Sequence, residues 1–169
     1  MSVTDVTSVT ELDSQRYLGR WFEIGRLPVL FEDDLHSITT TYRPGPDGTV
    51  VVDHRGFTTE GDAIQSLGLG IDIPGYPGRL QVTFPSKSGE EHSFESREYW
   101  VMSIDDEYSY ALVGTPDREC LWLLAREPQI TPAVESVYLT VARHQGFDLT
   151  EWIRTHQTGD FVTDANLTI

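Results

Sequence analysis

Apolar and polar positions alternate in short runs from Gly19 to Arg126, and after that the period changes once. The first run, Gly19–Arg26, places Trp21, Glu23 and Gly25 on one face of a strand and Phe22 and Ile24 on the other, because successive side chains point to opposite sides. Runs at 37–43 and 49–56 flank a Pro-Gly-Pro-Asp-Gly turn and predict a hairpin. Further runs at 63–71, 79–84, 97–104, 108–114 and 119–126 are separated by turns and by a hydrophilic, charged stretch, 86–96, that reads as a loop near the barrel rim. Short strands joined by tight turns predict an all-β fold, an eight-stranded antiparallel up-and-down β-barrel. Closure of such a sheet leaves no exposed edge.

The change of period falls at Thr131. A Thr N-cap, Pro132 at the first helical position, and Val134, Val137, Tyr138 and Val141 at helical spacing predict one amphipathic α-helix, with Arg143 and His144 at its negative end and Gly146 as its stop. The strands at 37–43, 49–56 and 79–84 have one dry and one wet face, whereas 97–104, 108–114 and 119–126 are apolar on both. Trp100, Met102 and Ile104 oppose Tyr99 and Val101, and Leu121 and Leu123 oppose Trp122 and Leu124. The helix is the expected cover for the outer face of the late strands.

Parity then gives the inward set: Ile38, Thr40, Tyr42, Val52, His54, Leu80, Val82, Phe84, Tyr99, Val101 and Trp122. It is aromatic, aliphatic and sparsely polar, which suits a long apolar ligand in a cavity, with Gly68, Gly70 and Thr40 leaving room. The non-periodic segment 27–34 carries Leu30 and Phe31 and is read as a lid over the opening, with Phe31 on the ligand. Residues 1–16 form a polar arm across the end of the fold, 17–157 the domain, and 158–169 a tail expected to fray.

Composition narrows this further. Twenty-seven acidic against 12 basic residues give a net charge of −15, which repels nucleic acid and anionic membranes. No apolar run is long enough for a membrane-spanning helix. The first residues show neither a basic start nor an apolar core, and no Cys that a lipid could modify. As written the chain reads as cytoplasmic, and as periplasmic or outer-membrane-associated if a leader was removed. Cys120 is the only cysteine, which excludes an internal disulfide and a Cys-based metal cluster. No His-x-x-x-His spacing, phosphate loop or Ser-His-Asp order points to a metal, a cofactor or a hydrolase.

Gly19-Arg-Trp21 at the opening of the first strand, Tyr110-Ala-Leu-Val-Gly-Thr-Pro-Asp-Arg118, Leu121-Trp-Leu-Leu-Ala-Arg126 and Gly146-Phe-Asp148 together resemble the lipocalin family, in its bacterial branch close to apolipoprotein D. The resemblance spans about residues 17–157. It implies a calyx that carries small hydrophobic molecules, fatty acids or lysophospholipids, in proteins often anchored to the outer membrane, and dimers in this branch. Gly19, Trp21 and Arg126 are its structural signature. In a closed meander the start of the first strand meets the end of the last, so Arg126 should lie over the Trp21 ring as a cation–π pair.

Among the polar inward groups, His54, Tyr42 and Tyr99 can meet a head group or simply pack, and Glu23 should be hydrogen-bonded near the closed end. Cys120 has inward parity, and one lipocalin relative is an isomerase with a pocket thiol. A calyx enzyme using Cys120 is therefore an alternative, although no Lys, His or helix N-terminus adjoins it in sequence to lower its pKa. Self-association through the rim loops or through Leu67 and Leu69 on the outer face is a third reading. With Lys87 as the single lysine, the acid-rich composition is that of a salt-adapted protein. Stability against urea should accordingly rise between low and molar salt; equal stability in both would remove that reading.

Overall fold

The computed structural model describes residues 5–29, 32, 34–85 and 94–167. The expected contact of Phe31, and Leu30 beside it, lie outside the described residues, as does most of the 86–96 loop. Strands β1 (Gly19–Arg26), β2 (His36–Pro44), β3 (Val50–Phe57), β4 (Ala63–Asp72), β5 (Arg79–Pro85), β6 (Phe94–Ile104), β7 (Tyr110–Gly114) and β8 (Leu121–Ala125) each pair antiparallel with the next. β1 pairs with both β8 and β2, and the sheet closes into the expected eight-stranded barrel. A short strand, β9 (Ile153–Arg154), adds to β1.

Three boundaries differ by two residues or more from the sequence reading; one is that of β8, expected over 119–126, which spans only Leu121–Ala125. Residues 94–96 belong to β6 and pair with β5, so the loop is shorter than its polarity suggested. β7 begins at Tyr110 because Tyr108, at φ +56°, is still in the acidic turn.

The seam between β1 and β2 is only half paired. Gly19–Phe22 meet Thr39–Tyr42, and beyond Phe22 the two strands part. Residues 153–157 fill the gap. β9 pairs with Gly25 and Arg26, and Thr155 N–H donates to the Ile24 carbonyl at 2.9 Å. The Gln157 side-chain amide donates to the carbonyls of Glu23 and Ile38 at 2.8 and 2.9 Å, and Ser37 N–H donates to the His156 carbonyl. Backbone groups left open by the parting strands are thus satisfied.

At the closed end Arg126 stacks on Trp21, 3.7 Å from the ring centroid. Its guanidinium also donates to the carbonyls of Arg16, Leu18, Arg20 and Tyr108. Gly19 sits at φ +104°, and a Cβ there would stand 3.4 Å from Arg126 Nη1, so the turn and the close approach both favour glycine.

Two hydrophobic clusters use the two faces of the sheet. The inner one joins Trp21, Tyr17, Tyr42, Val52, Val82, Val101, Val113, Cys120, Trp122 and Leu124. The outer one joins Ile24, Met102, Leu112, Leu121 and Leu123 with Tyr138, Ala142 and Phe147, and so lies under α2 (Pro132–His144, following α1 at Ser14–Tyr17). Helix α2 covers the late strands as expected, and Thr131 Oγ1 caps it by accepting from Val134 N–H. Its buried face runs through Glu135, Tyr138, Leu139 and Ala142, whereas Val137 is 60% exposed. The Val137 assignment fails because Leu139 and Ala142, together with Tyr138, make the covered face, and Glu135 on that face pairs with Arg154 of β9.

The N-terminal arm lies on the barrel: Val6 joins the outer cluster and Val9 N–H donates to the Val101 carbonyl. Described tail residues do not fray. Phe161 packs against Phe22 and under Arg20, Val162 is buried, and Arg55 donates to the Val162 carbonyl and to Asp164 of α3 (Asp164–Leu167).

Parity fails at two β-bulges. The β1–β8 register shifts between Glu23 and Gly25, so Ile24 is an extra residue. Gly25 therefore turns outward, where a Cβ would collide with the Trp152 ring at 2.4 Å, and Arg26 turns inward opposite Trp122. A second shift between Val101 and Ser103 turns Ile104 to the inner cluster, away from Trp100 and Met102.

Replacing Arg126 with Ala removes the stacking and five carbonyl contacts, the fifth to Tyr17. A loss of about 2–4 kcal/mol is expected from a cation–π term of up to ~2 and net charged hydrogen bonds of ~1.5 or more. Arg126→Lys should lose about half of that, since it keeps the charge and not the fork. Urea unfolding of the two variants checks both values; an Arg126→Ala loss below about 0.5 kcal/mol, the size of an ordinary surface substitution, would exclude a structural role.

Candidate functional site

The inward side chains of β2, β3, β5, β6, β7 and β8 converge on one cavity. Thr40, Tyr42, Val52, His54, Phe84, Tyr99 and Trp122 form its wall, together with Val113 and Leu124, which the parity list omitted. Val82 and Val101 are buried in the same interior cluster and Leu80 packs at its margin, but none of the three is part of the cavity wall. Ile38 is fully buried against Gly56 and is also not part of it.

The cavity is narrower than expected. Its volume is about 30 Å³, near one water's share of liquid and far below the roughly 300–1,000 Å³ of a pocket for a small organic molecule. The room attributed to the β4 glycines is already taken. A Cβ on Gly68 would sit 2.7 Å from the Phe84 ring, and one on Gly70 would sit 2.8 Å from Leu80. Both side chains lie across the glycines from the neighbouring strand, and Tyr99 meets Trp122 edge-on at 5.1 Å.

A cluster of polar groups closes one end of this apolar space. Glu32, fully buried, sends Oε1 to accept the Trp122 Nε1–H at 2.7 Å. His54 Nε2 stands 3.8 Å from the same oxygen, and His54 Nδ1 is 3.2 Å from Thr40 Oγ1 across the β2–β3 pair. Arg26 reaches Glu23 Oε2 and Thr155 Oγ1 through Nη1 and donates from Nη2 to the Glu32 carbonyl at 3.2 Å. Thr155 also donates to Glu23. Glu23 is hydrogen-bonded, as its parity suggested, but it belongs to this cluster rather than to the Trp21 floor.

The Glu32 carboxyl is held well above the usual carboxylate range. Burial is the main cause, followed by the charge of Glu23 and a hydrogen bond with it; Trp122 and Arg26 oppose the shift. Burial and the neighbouring Glu23 therefore favour the protonated, neutral form of the Glu32 carboxyl. Glu23 Oε1 and Glu32 Oε2 are both buried with no other hydrogen bond among the described residues, and a proton between the two carboxyls satisfies both.

Cys120 points into the barrel, and Arg97 Nη1 lies 3.3 Å from its Sγ, a neighbour 23 residues away that local sequence could not reveal. Burial nevertheless pushes the thiol up to about 11, with Arg97 only partly offsetting it. The thiol stays protonated near neutrality. Tyr42 and Tyr99 are also pushed up by burial and remain neutral hydroxyls.

Arg26, Glu32 and Thr155 are the polar residues of this end that sequence reasoning missed. Arg26 is inward only because Ile24 is bulged, and Glu32 comes from a non-periodic segment without a parity to read.

Stability should report the Glu32 proton. A group with a raised folded pKa contributes its full stability below its unfolded pKa, about 4.3 for Glu, and loses it as pH rises through the folded value. Glu32→Gln keeps an acceptor for Trp122 and a donor for Glu23 without ionising. Relative to the parent, the variant should gain stability by about 1.4 kcal/mol per pH unit above pH ~4.5, until the raised pKa is passed. Urea unfolding from pH 4.5 to 8 checks this; a pH-independent difference would mean that Glu32 titrates normally.

Comparison with known proteins follows the same architecture. Residues 12–157 match a family model described as a lipocalin-like domain. The outer membrane lipoprotein Blc of Escherichia coli (strain K12) is 37% identical over 158 residues, covering 91% of this chain and 84% of that protein. Temperature-induced lipocalin-1 of Arabidopsis thaliana is 31% identical, with 89% of this chain and 82% of that protein covered. Among solved structures, insecticyanin from the tobacco hornworm Manduca sexta superposes with a TM-score of 0.70 over 98% of this chain and 88% of that one, at 20% identity, a likeness of fold.

Proposed function

The chain belongs to the lipocalin-like family, and from that premise we propose that it carries small hydrophobic ligands, long-chain fatty acids or lysophospholipids, inside its barrel without transforming them. The observation that carries this reading is the cavity itself: aliphatic and aromatic side chains from six strands face one space inside the barrel with few polar groups among them. Burial of apolar surface favours binding by about 25 cal/mol per Å². A ligand of this size needs more than about 30 Å³, so Phe84 and Tyr99, which lean into the space, turn aside as it enters.

Transport without chemistry fits the state of Cys120, whose thiol is pushed up to about 11 and so is not a nucleophile near neutral pH. Among the described residues no helix is long and apolar enough to cross a membrane. The relatives named as outer membrane lipoproteins support placing this protein in the cell envelope.

An uncharged fluorescent alkyl probe tests the reading, because it responds to burial alone. Micromolar binding is expected, with competition by C16 ligands. Val52→Phe, which narrows the cavity wall, should weaken binding by at least about tenfold, or ~1.4 kcal/mol. No binding of the probe at micromolar concentration would remove the proposal.

A further inference from the structure

The polar end of the cavity grips a carboxyl group that belongs to the chain itself. Glu32 Oε1 accepts from Trp122 Nε1 at 2.7 Å, but Oε2 stands 3.5 Å from Arg26 Nε, an ion-pair distance at which no hydrogen bond is made. Arg26 is 5% exposed and its Nε–H has no hydrogen bond among the described residues. A buried guanidinium donor is thus left aimed at a carboxyl that does not fully meet it, which is costly for a charged group. Trp122 and His54, which touch this carboxyl, are also part of the cavity wall, so a ligand lying in the cavity meets the same groups.

We propose that Trp122 Nε1 and Arg26 Nε form a carboxyl-binding subsite in which the Glu32 side chain is an internal stand-in, and that a long-chain carboxylic acid binds by displacing the Glu32 carboxyl. The inference rests on the reading that the barrel binds apolar ligands, and it selects among them. A free carboxyl brings two oxygens, one for each donor. An alcohol brings one. A lysophospholipid brings a phosphodiester that stays charged beside Glu23 and lacks the proton that the Glu32 carboxyl carries there.

The exchange balances. Glu32 moves toward water and releases the proton it held beside Glu23; the incoming carboxylate takes up one proton in the same place. No net charge enters the barrel. The hydrogen bond from Arg26 Nη2 to the Glu32 backbone carbonyl does not involve the side chain, so it persists through the exchange. The ionisable groups against Glu32 are Glu23 and Arg26 from β1 and His54 from β3, while Tyr99 from β6 and Cys120 just before β8 are near enough to feel its charge. The acid meets this same set.

The experiment is competition at pH 7 between the uncharged alkyl probe and three C16 ligands: palmitic acid, 1-hexadecanol and palmitoyl-lysophosphatidylcholine. Removing the stand-in with Glu32→Ala should tighten palmitic acid by about tenfold, the size of one charged hydrogen bond, and change the other two by less than about threefold. Glu32→Gln, which restores an occupant, should return the parent preference. Equal gains for acid and alcohol, or no gain for the acid, would overturn the proposal while leaving the apolar-ligand reading intact. Failure of the probe itself to bind would remove that reading and the subsite with it. Should Glu32→Ala not fold, the parent protein decides by carbon NMR of glutamate labelled at the side-chain carboxyl. Saturating palmitic acid should move the Glu32 signal to that of an ordinary exposed glutamate, and 1-hexadecanol should not; an unmoved Glu32 signal with palmitic acid bound would overturn the proposal.

Discussion

Closing a sheet of eight strands obliges β1 to satisfy neighbours on both edges, and most of the features of this protein follow from how it does so. One edge meets β8 along most of its length. The other meets β2 only as far as Phe22, then residues 153–157. The two edges demand different paths of the same strand. The bulge at Ile24 accommodates both: it bends β1, lets Gly25 come close under Trp152, and turns Arg26 from the outer face to the inner. At the other end of the strand the Arg126 guanidinium locks the start of β1 to the residue that follows β8. Both ends of the seam are thus held by side chains where backbone pairing runs out.

Turning Arg26 inward places a guanidinium inside an apolar barrel, which is unfavourable unless it is paired and hydrogen-bonded. Glu23, Glu32 and Thr155 supply those partners, and they come from three separated parts of the chain. Two carboxyl groups around one guanidinium would leave excess negative charge in a medium of low dielectric. That is why the Glu32 pKa is raised, favouring the neutral carboxyl. The charge cluster is therefore a consequence of barrel closure.

The fold was legible because each of its signals is local. Strand alternation, the Thr131 cap with Pro132, and Gly19 ahead of Trp21 depend on near neighbours, and the Arg126–Trp21 contact follows from counting strands. The interior was legible where the period of two is unbroken. Thr40, Tyr42, Val52, His54, Phe84, Tyr99 and Trp122 reach the cavity wall as parity places them. Gly25 and Ile104 were misplaced, and Arg26 was missed, because each lies just past a bulge, and a single added residue inverts every later side chain of the strand. Cavity size was illegible for another reason. Small residues at 68 and 70 leave room only if no neighbour leans into it, and Phe84 and Leu80 do. That depends on rotamers across β4 and β5, which a sequence does not display.

A narrow cavity beside a satisfied polar cluster has a consequence for selectivity. Burial alone cannot discriminate head groups, since it is non-directional and scales with apolar area. Discrimination requires buried polar groups that the wrong ligand leaves unpaired. In this barrel those groups are few and close together: an indole N–H, a guanidinium N–H and a carboxyl that already shares a proton. A chain that moves Phe84 and Tyr99 aside lies against the Trp122 ring, whose indole N–H Glu32 holds. Entry of the alkyl chain and occupation of the polar end are therefore mechanically joined through Trp122, whose ring forms the cavity wall and whose Nε1–H anchors the polar cluster.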